Sequence, residues 1–130
     1  MGWHFWAALA GGLVAASLID WLFAGVLFHD RYIRHPEVWR TQGANTRGIV
    51  VAQVLTVPTV LGMFALLHIT GAATVGPALL VATIVWAVAA APGQIVNGIF
   101  VKLDAWVVAA HITGWLVKLL AIAAIGALLL

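Results

Sequence analysis

The sequence predicts an all-α membrane protein, a four-transmembrane-helix bundle with a short interfacial helix in the first loop. Three observations carry that expectation. The chain has 130 residues of which 65% are hydrophobic and only 8% charged, far from the roughly half apolar and quarter charged balance of a water-soluble domain. Its apolar residues fall into four long runs, and its charges collect in the connections on one side. A chain so poor in polar side chains cannot cover a water-facing exterior, so lipid must be the solvent for most of its surface.

The four runs cover residues 3–28, 48–70, 77–100 and 105–130, and together they form a single domain over residues 1–130. Each reaches the roughly twenty residues that a helix rising about 1.5 Å per residue needs to cross hydrocarbon. The runs are continuously apolar and do not alternate, which excludes a transmembrane barrel, and an open strand could not satisfy its backbone in lipid. The opening residues lack the basic segment of a cleaved signal, so the first run is expected to be retained.

The connections set the orientation. The first, residues 29–47, carries Arg31, Arg34, Arg40 and Arg47, and the third adds Lys102 on the same side. The opposite side, with the 71–76 turn and both chain ends, has no Lys or Arg. A bias of this kind in short loops places the arginine-bearing side in the cytoplasm and both termini outside, as expected for a bacterial inner membrane. Within the long loop, Pro36 and Glu37 suit a helix's first turn, and Val38, Trp39 and Arg40 would let a short helix lie at the headgroups. Arg31, Arg34, Glu37, Trp39 and Arg40 are therefore the interfacial set. Trp3, Trp6 and Trp106 fall near span ends, where indole rings anchor a bundle.

The informative residues are those that lipid disfavours: Asp20, Gln53, Gln94, Asn97, His111 and Lys118. Counted from the cytoplasmic span ends, Asp20 lies at about 12 Å depth, Gln94 and His111 at about 9 Å, and Gln53 and Asn97 shallower. Every span contributes to one layer, which suggests an intramembrane polar pocket open to the cytoplasm. A carboxylate at such depth costs several kcal/mol unless paired, hydrated or protonated. By depth the best-matched partner for Asp20 is His111. Asp104, His111 and Lys118 recur every seven residues and form one stripe with Trp115 on the fourth span. Lys118 lies about 20 Å from the cytoplasmic end, and it either reaches toward Asp20 or stays neutral. Two readings stand side by side: a proton or ion relay through Asp20, His111 and Lys118, or an ion pair and hydrogen bonds that lock the bundle.

Pro92 and Gly93 interrupt the third span just before Gln94 and Asn97, and Pro58 interrupts the second; proline removes one helix hydrogen bond and frees a carbonyl a turn earlier. Small residues four apart, namely Ala7, Gly11 and Ala15, Gly12 and Ala16, Ala89 and Gly93, and Ala110 and Gly114, allow close helix approach. The loop residues His29, Asp30, His35 and Glu37 are metal-ligand types, but their spacing matches no standard site, so no metal is expected. The absence of cysteine removes thiolate chemistry, and the pI of 9.7 rests on cations flanking apolar spans, which argues against nucleic-acid binding. No phosphate loop, nucleophile elbow or paired-histidine motif is present, so enzyme activity has no positive support and no cofactor is expected.

The stretch LIDWLFAGVLFHDRY followed by Trp39, and the last hairpin GQIVNGIFVKLDAWVVAAHITGWLVKLLAIAAIGALL, resemble the small four-span bacterial membrane proteins of the DUF1761 family. Similar proteins carry an asparagine before the last short loop and a histidine in the final helix, matched here by Asn97 and His111. The chain departs from the pattern at Phe28, His29 and Asp30, where the family tends to show tyrosine and proline. The resemblance implies a four-helix membrane fold and supplies no substrate, cofactor or catalytic residue. The residues themselves support two functions. One is a transporter or channel-like protein for a small solute, ion or proton. The other is a non-catalytic accessory or assembly subunit. Four helices alone leave little lumen, so membrane lipids and a homo-oligomer or larger membrane complex are the expected partners.

Overall fold

The computed structural model describes residues 2–34 and 46–130 of the chain. Helix α1 (Trp3–Asp20) runs into a π-helical segment, Trp21–Leu27, and a short α2 (His29–Ile33) follows. Helix α3 (Thr46–Thr70) is continuous; α4 (Val75–Val85), a π-helical segment Trp86–Ala90 and α5 (Ala91–Phe100) form one rod; α6 (Ala105–Leu129) completes the bundle. Four helical units, Trp3–Leu27, Thr46–Thr70, Val75–Phe100 and Ala105–Leu129, are each long and apolar enough to cross a bilayer. The chain is a multi-pass membrane protein with an all-α, four-helix fold. We call these units the first to fourth spans.

Their directions alternate, and the contacts show it. Ser17 meets Gln53 while Gly12 lies against Val60, so the first two spans are antiparallel. Gly11 faces Ile125 and Gly114 faces Phe23, so the first and fourth are antiparallel as well. Gly98 lies against Val108 while the Trp86 indole N–H donates to Ile112 O, so the third and fourth are antiparallel too. One end of the bundle therefore gathers both chain ends and the turn after α3; Phe5, Gly71 and Leu130 border a common cavity of about 520 Å³ there. The third connection and the described ends of the first, residues 28–34 and 46–47, lie at the other end.

The fourth span is the centre of the bundle and packs against all three others, most extensively against α1 and α4. Small residues make this possible. Ala8, Gly12 and Ala16 give α1 a buried strip at four-residue spacing. Val60, Phe64 and Leu67 of α3, Ala78 and Ala82 of α4, and Ile122 and Ala123 of α6 complete the core. Most of the remaining side chains face outward and are apolar, among them Trp21, Val54, Leu80, Val88 and Leu128, as lipid contact requires. Where threonine hydroxyls fall in the spans, they donate to the carbonyl one turn back, as Thr56 does to Ala52 and Thr113 to Ala109. That removes the cost of an unpaired hydroxyl in hydrocarbon.

The interruption expected at Pro92 takes a specific form. The Ala91 N–H donates to Trp86 O, five residues back, so the helix widens immediately before the proline ring, which would otherwise press on the carbonyl of Val88. Pro58 leaves α3 continuous. The small pairs also divide. Gly12 with Ala16 and Ala110 with Gly114 face neighbouring helices, whereas Ala89 is exposed and no described residue lies within 4 Å of a Cβ built on Gly93. In the first connection the described helix is α2; the helix expected from Pro36 to Arg40 lies outside the described residues.

Candidate functional site

Lys118 sits at mid-height on α6 and is 6% exposed. Its Nζ lies 2.5 Å from Asp20 Oδ1, and 4.4 Å from the centre of the Trp115 ring. A carboxylate and an aromatic face thus replace the water that a lysine at this depth lacks. Helical side chains tilt toward their own N-terminus. Since the first and fourth spans are antiparallel, Asp20 and Lys118 lean toward each other, and the difference in backbone depth is bridged by the lysine stem.

His111 is one α-helical heptad from Lys118 and shares its face. Its Nε2 lies 3.0 Å from the Tyr32 hydroxyl, and the two rings meet edge to face. Tyr32 comes from α2, which folds back under the first span. Burial, and secondarily the charge of Asp20, push the Tyr32 phenol up to about 12, so it keeps its proton at neutral pH and can donate to Nε2. With the phenol as donor the imidazole hydrogen sits on Nδ1, and with Nε2–H as donor the phenol oxygen accepts. His111 is therefore joined to Tyr32 and not to Asp20, the partner that depth alone suggested. Tyr32 went unnoticed in the sequence because only a fold-back of the loop brings it here; its being the one tyrosine in the chain, next to a span end, was the available signal.

Above the ion pair, Ser17 Oγ lies 2.9 Å from Leu13 O and 2.5 Å from Gln53 Oε1. One hydroxyl hydrogen cannot serve both acceptors fully, and turning the Gln53 amide over lets its NH2 donate to Ser17 while Ser17 donates to Leu13 O.

These groups border one cleft of about 540 Å³ between the first, second and fourth spans; Ser17, Asp20, Tyr32, Gln53, His111 and Lys118 all line it. Gln94 is half-buried and Asn97 exposed, and neither lines the cleft or hydrogen-bonds through its side chain to a described residue. The five-residue π-helical segment ahead of them changes the angular register of everything after Ala90, so the 3.6-residue count does not carry across it. Asp104 caps α6, accepting from Trp106 N at 2.7 Å, which takes it out of the stripe. Arg31 stacks 5.6 Å from the Trp106 ring at the same end of the bundle. Arg34 is exposed; Glu37, Trp39 and Arg40 lie outside the described residues. So do His35 and Glu37 of the histidine-rich loop, and the described residues hold no group of three metal-ligand side chains.

The π-helical segment Trp21–Leu27 begins at the residue after Asp20. Phe28 N donates to Phe23 O at 3.0 Å, again five residues back. No proline explains this widening, and the Trp21 indole lies against Gly25, where an added Cβ would come within 3.2 Å of the ring. Wide turns of this kind concentrate at functional sites. Comparison with protein-family models, with curated proteins and with solved structures returns no match.

Proposed function

We propose that the cleft is a binding or relay site for a small solute, ion or proton, facing the cytoplasm in a bacterial inner-membrane protein. The observation that carries this reading is the Asp20–Lys118 pair. Lys118 is buried, but the Asp20 side chain is 40% exposed and borders the cleft. A pair serving only to lock two helices gains nothing from an opening beside its carboxylate, whereas a ligand site needs one. Tyr32 and His111 supply a second polar step toward the loop end. The cytoplasmic orientation is supported by the cations Arg31, Arg34, Arg47 and Lys102 at that end. Membership of the DUF1761 family rests on the sequence resemblance and is in keeping with a four-span fold.

The test is flux in proteoliposomes, with an entrapped pH dye for protons and isotopic tracers for small solutes. Asp20→Asn combined with His111→Ala is expected to abolish transport above the protein-free background. Flux unchanged in that variant would remove the reading.

A second reading is favoured by one observation, the outer face at Ala89 and Gly93, which no described residue covers. On it the chain is an accessory or assembly subunit, or a homo-oligomer, that docks a partner helix on the third span. Stoichiometric co-purification of a larger complex from native membranes, lost with Gly93→Leu, is its expected signature.

A further inference from the structure

The cleft has two unlike walls. Its floor is polar and withdrawn from the surface: Lys118 is buried, and Ser17, Asp20, Tyr32, Gln53 and His111 are half-buried. Its rim is apolar and exposed. Trp21 is 63% and Ile49 60% exposed, and Ala24, Gly25 and Ala52 beside them are exposed too. All five rim residues belong to the first and second membrane spans, near the ends that carry the first connection, so the medium outside them grades from headgroup to acyl chain. The two spans touch at Gly12 with Val60 and at Ser17 with Gln53, and the rim residues lie beyond that last contact. Three of the five are glycine or alanine, small enough to leave room for a side window between the spans close to that end.

What the floor offers a ligand is hydrogen bonding with little net charge. The carboxylate and ammonium are already paired, so an anionic headgroup would meet Asp20 and a cationic one Lys118, each at a desolvation cost. A hydroxyl or carbonyl meets no such repulsion. The volume of about 540 Å³ lies within the usual range of small-molecule sites and holds roughly 18 groups at about 30 Å³ each. That suits one chain, whose far end can run out through the window.

We propose that the cleft takes up an uncharged single-chain amphiphile, a long-chain alcohol or a monoacylglycerol, from the bilayer. It enters through the window between the first and second spans. The head bonds to Asp20, Tyr32 and His111 while the tail lies over Trp21 and Ile49. This rests on the cleft being a binding site and names what binds.

Trp115 borders the cleft from α6 and serves as the reporter. The full chain in detergent micelles is titrated with 1-(9,10-dibromostearoyl)glycerol, whose bromines quench indole on contact, and separately with acrylamide from the water phase. The component due to Trp115 is the difference between the wild type and Trp115→Phe. The expected result is saturable quenching of that component by the brominated lipid, weakened at least tenfold by Ala52→Leu at the window, with little effect of acrylamide. If acrylamide quenches it and the brominated lipid does not saturate, the ligand comes from water; the present inference then falls and the binding site stands. If neither reagent reaches Trp115, the cleft is closed and both fall. Saturable quenching unaffected by both Ala52→Leu and Ala24→Leu would place the lipid elsewhere and also overturn the proposal.

Discussion

Lys118 depends on Asp20 more than Asp20 depends on Lys118, because only the lysine is cut off from solvent. Removing the carboxylate strands a buried cation, and removing the lysine leaves an aspartate with partial access to the cleft. Breaking a fully buried pair costs about 3–5 kcal/mol; with Asp20 40% exposed, the expectation for Asp20→Asn is lower, about 2 kcal/mol. Lys118→Met should cost less than Asp20→Asn, and the double variant should recover most of the loss. Reversible unfolding in mixed micelles reads the cycle, and equal, additive losses in the single variants would show that the two groups do not act as a pair. Tyr32 gives a cleaner signal, since no other tyrosine contributes. Its phenol should titrate near pH 12 in the folded protein and near 10 after unfolding. The sign follows: the unfolded chain releases the proton first, so stability is full below about pH 10 and is lost as pH rises toward about 12. Absorbance of the phenolate across that window, folded against unfolded, is the measurement.

At the scale of the helix, the glycines sort the faces. A Cβ on Gly126 would come within 2.9 to 3.0 Å of Leu67 and Phe64, both buried in the core, so Gly126→Ala should destabilise by about 1–3 kcal/mol through overpacking. On Gly93 a Cβ meets no described residue, and Gly93→Ala should be neutral or stabilise by up to about 1 kcal/mol through helix propensity. Thermal melting of the two variants separates them in sign. The sequence showed spacing by four at Ala89 and Gly93, with Gly126 in no such pair, but not which side faces a neighbour, because in lipid an apolar outer face and an apolar inner face carry the same residue types. The helices themselves were legible to within about two residues, since continuous apolar runs bounded by charges, Pro and Gly leave little freedom of placement. The π-helical segments were not, although Pro92 marked one of them. A count at 1.5 Å per residue put Asp20, Gln53 and His111 in one layer and Lys118 deeper, and all four line the cleft. It could not give pairing, which depends on the lean of each side chain and on the wider turns at 21–27 and 86–90.

For the molecule as a whole, charge asymmetry and an even number of passes predict that both chain ends share one side. The chain has no cysteine, so single cysteines report topology without background. Ala73→Cys, in the turn after α3, should react with an impermeant maleimide from one side of the sealed membrane, and Arg34→Cys from the other side only. Reaction of both from one side would contradict the alternation of the four spans. The fold class was legible because lipid permits so few architectures for a chain this apolar. The cleft was legible only in outline, because Tyr32 enters it through a loop and Gln94 and Asn97 lie off its walls.

The central position of the fourth span has a temporal side. A ribosome delivers the first three spans before the helix that each of them packs against exists, so their small-residue strips wait in lipid with only partial mates. Lys118 likewise arrives after Asp20 has already entered the bilayer. The carboxylate enters ahead of its counter-ion, and the closing of the bundle is also the moment at which its charge finds a counterpart.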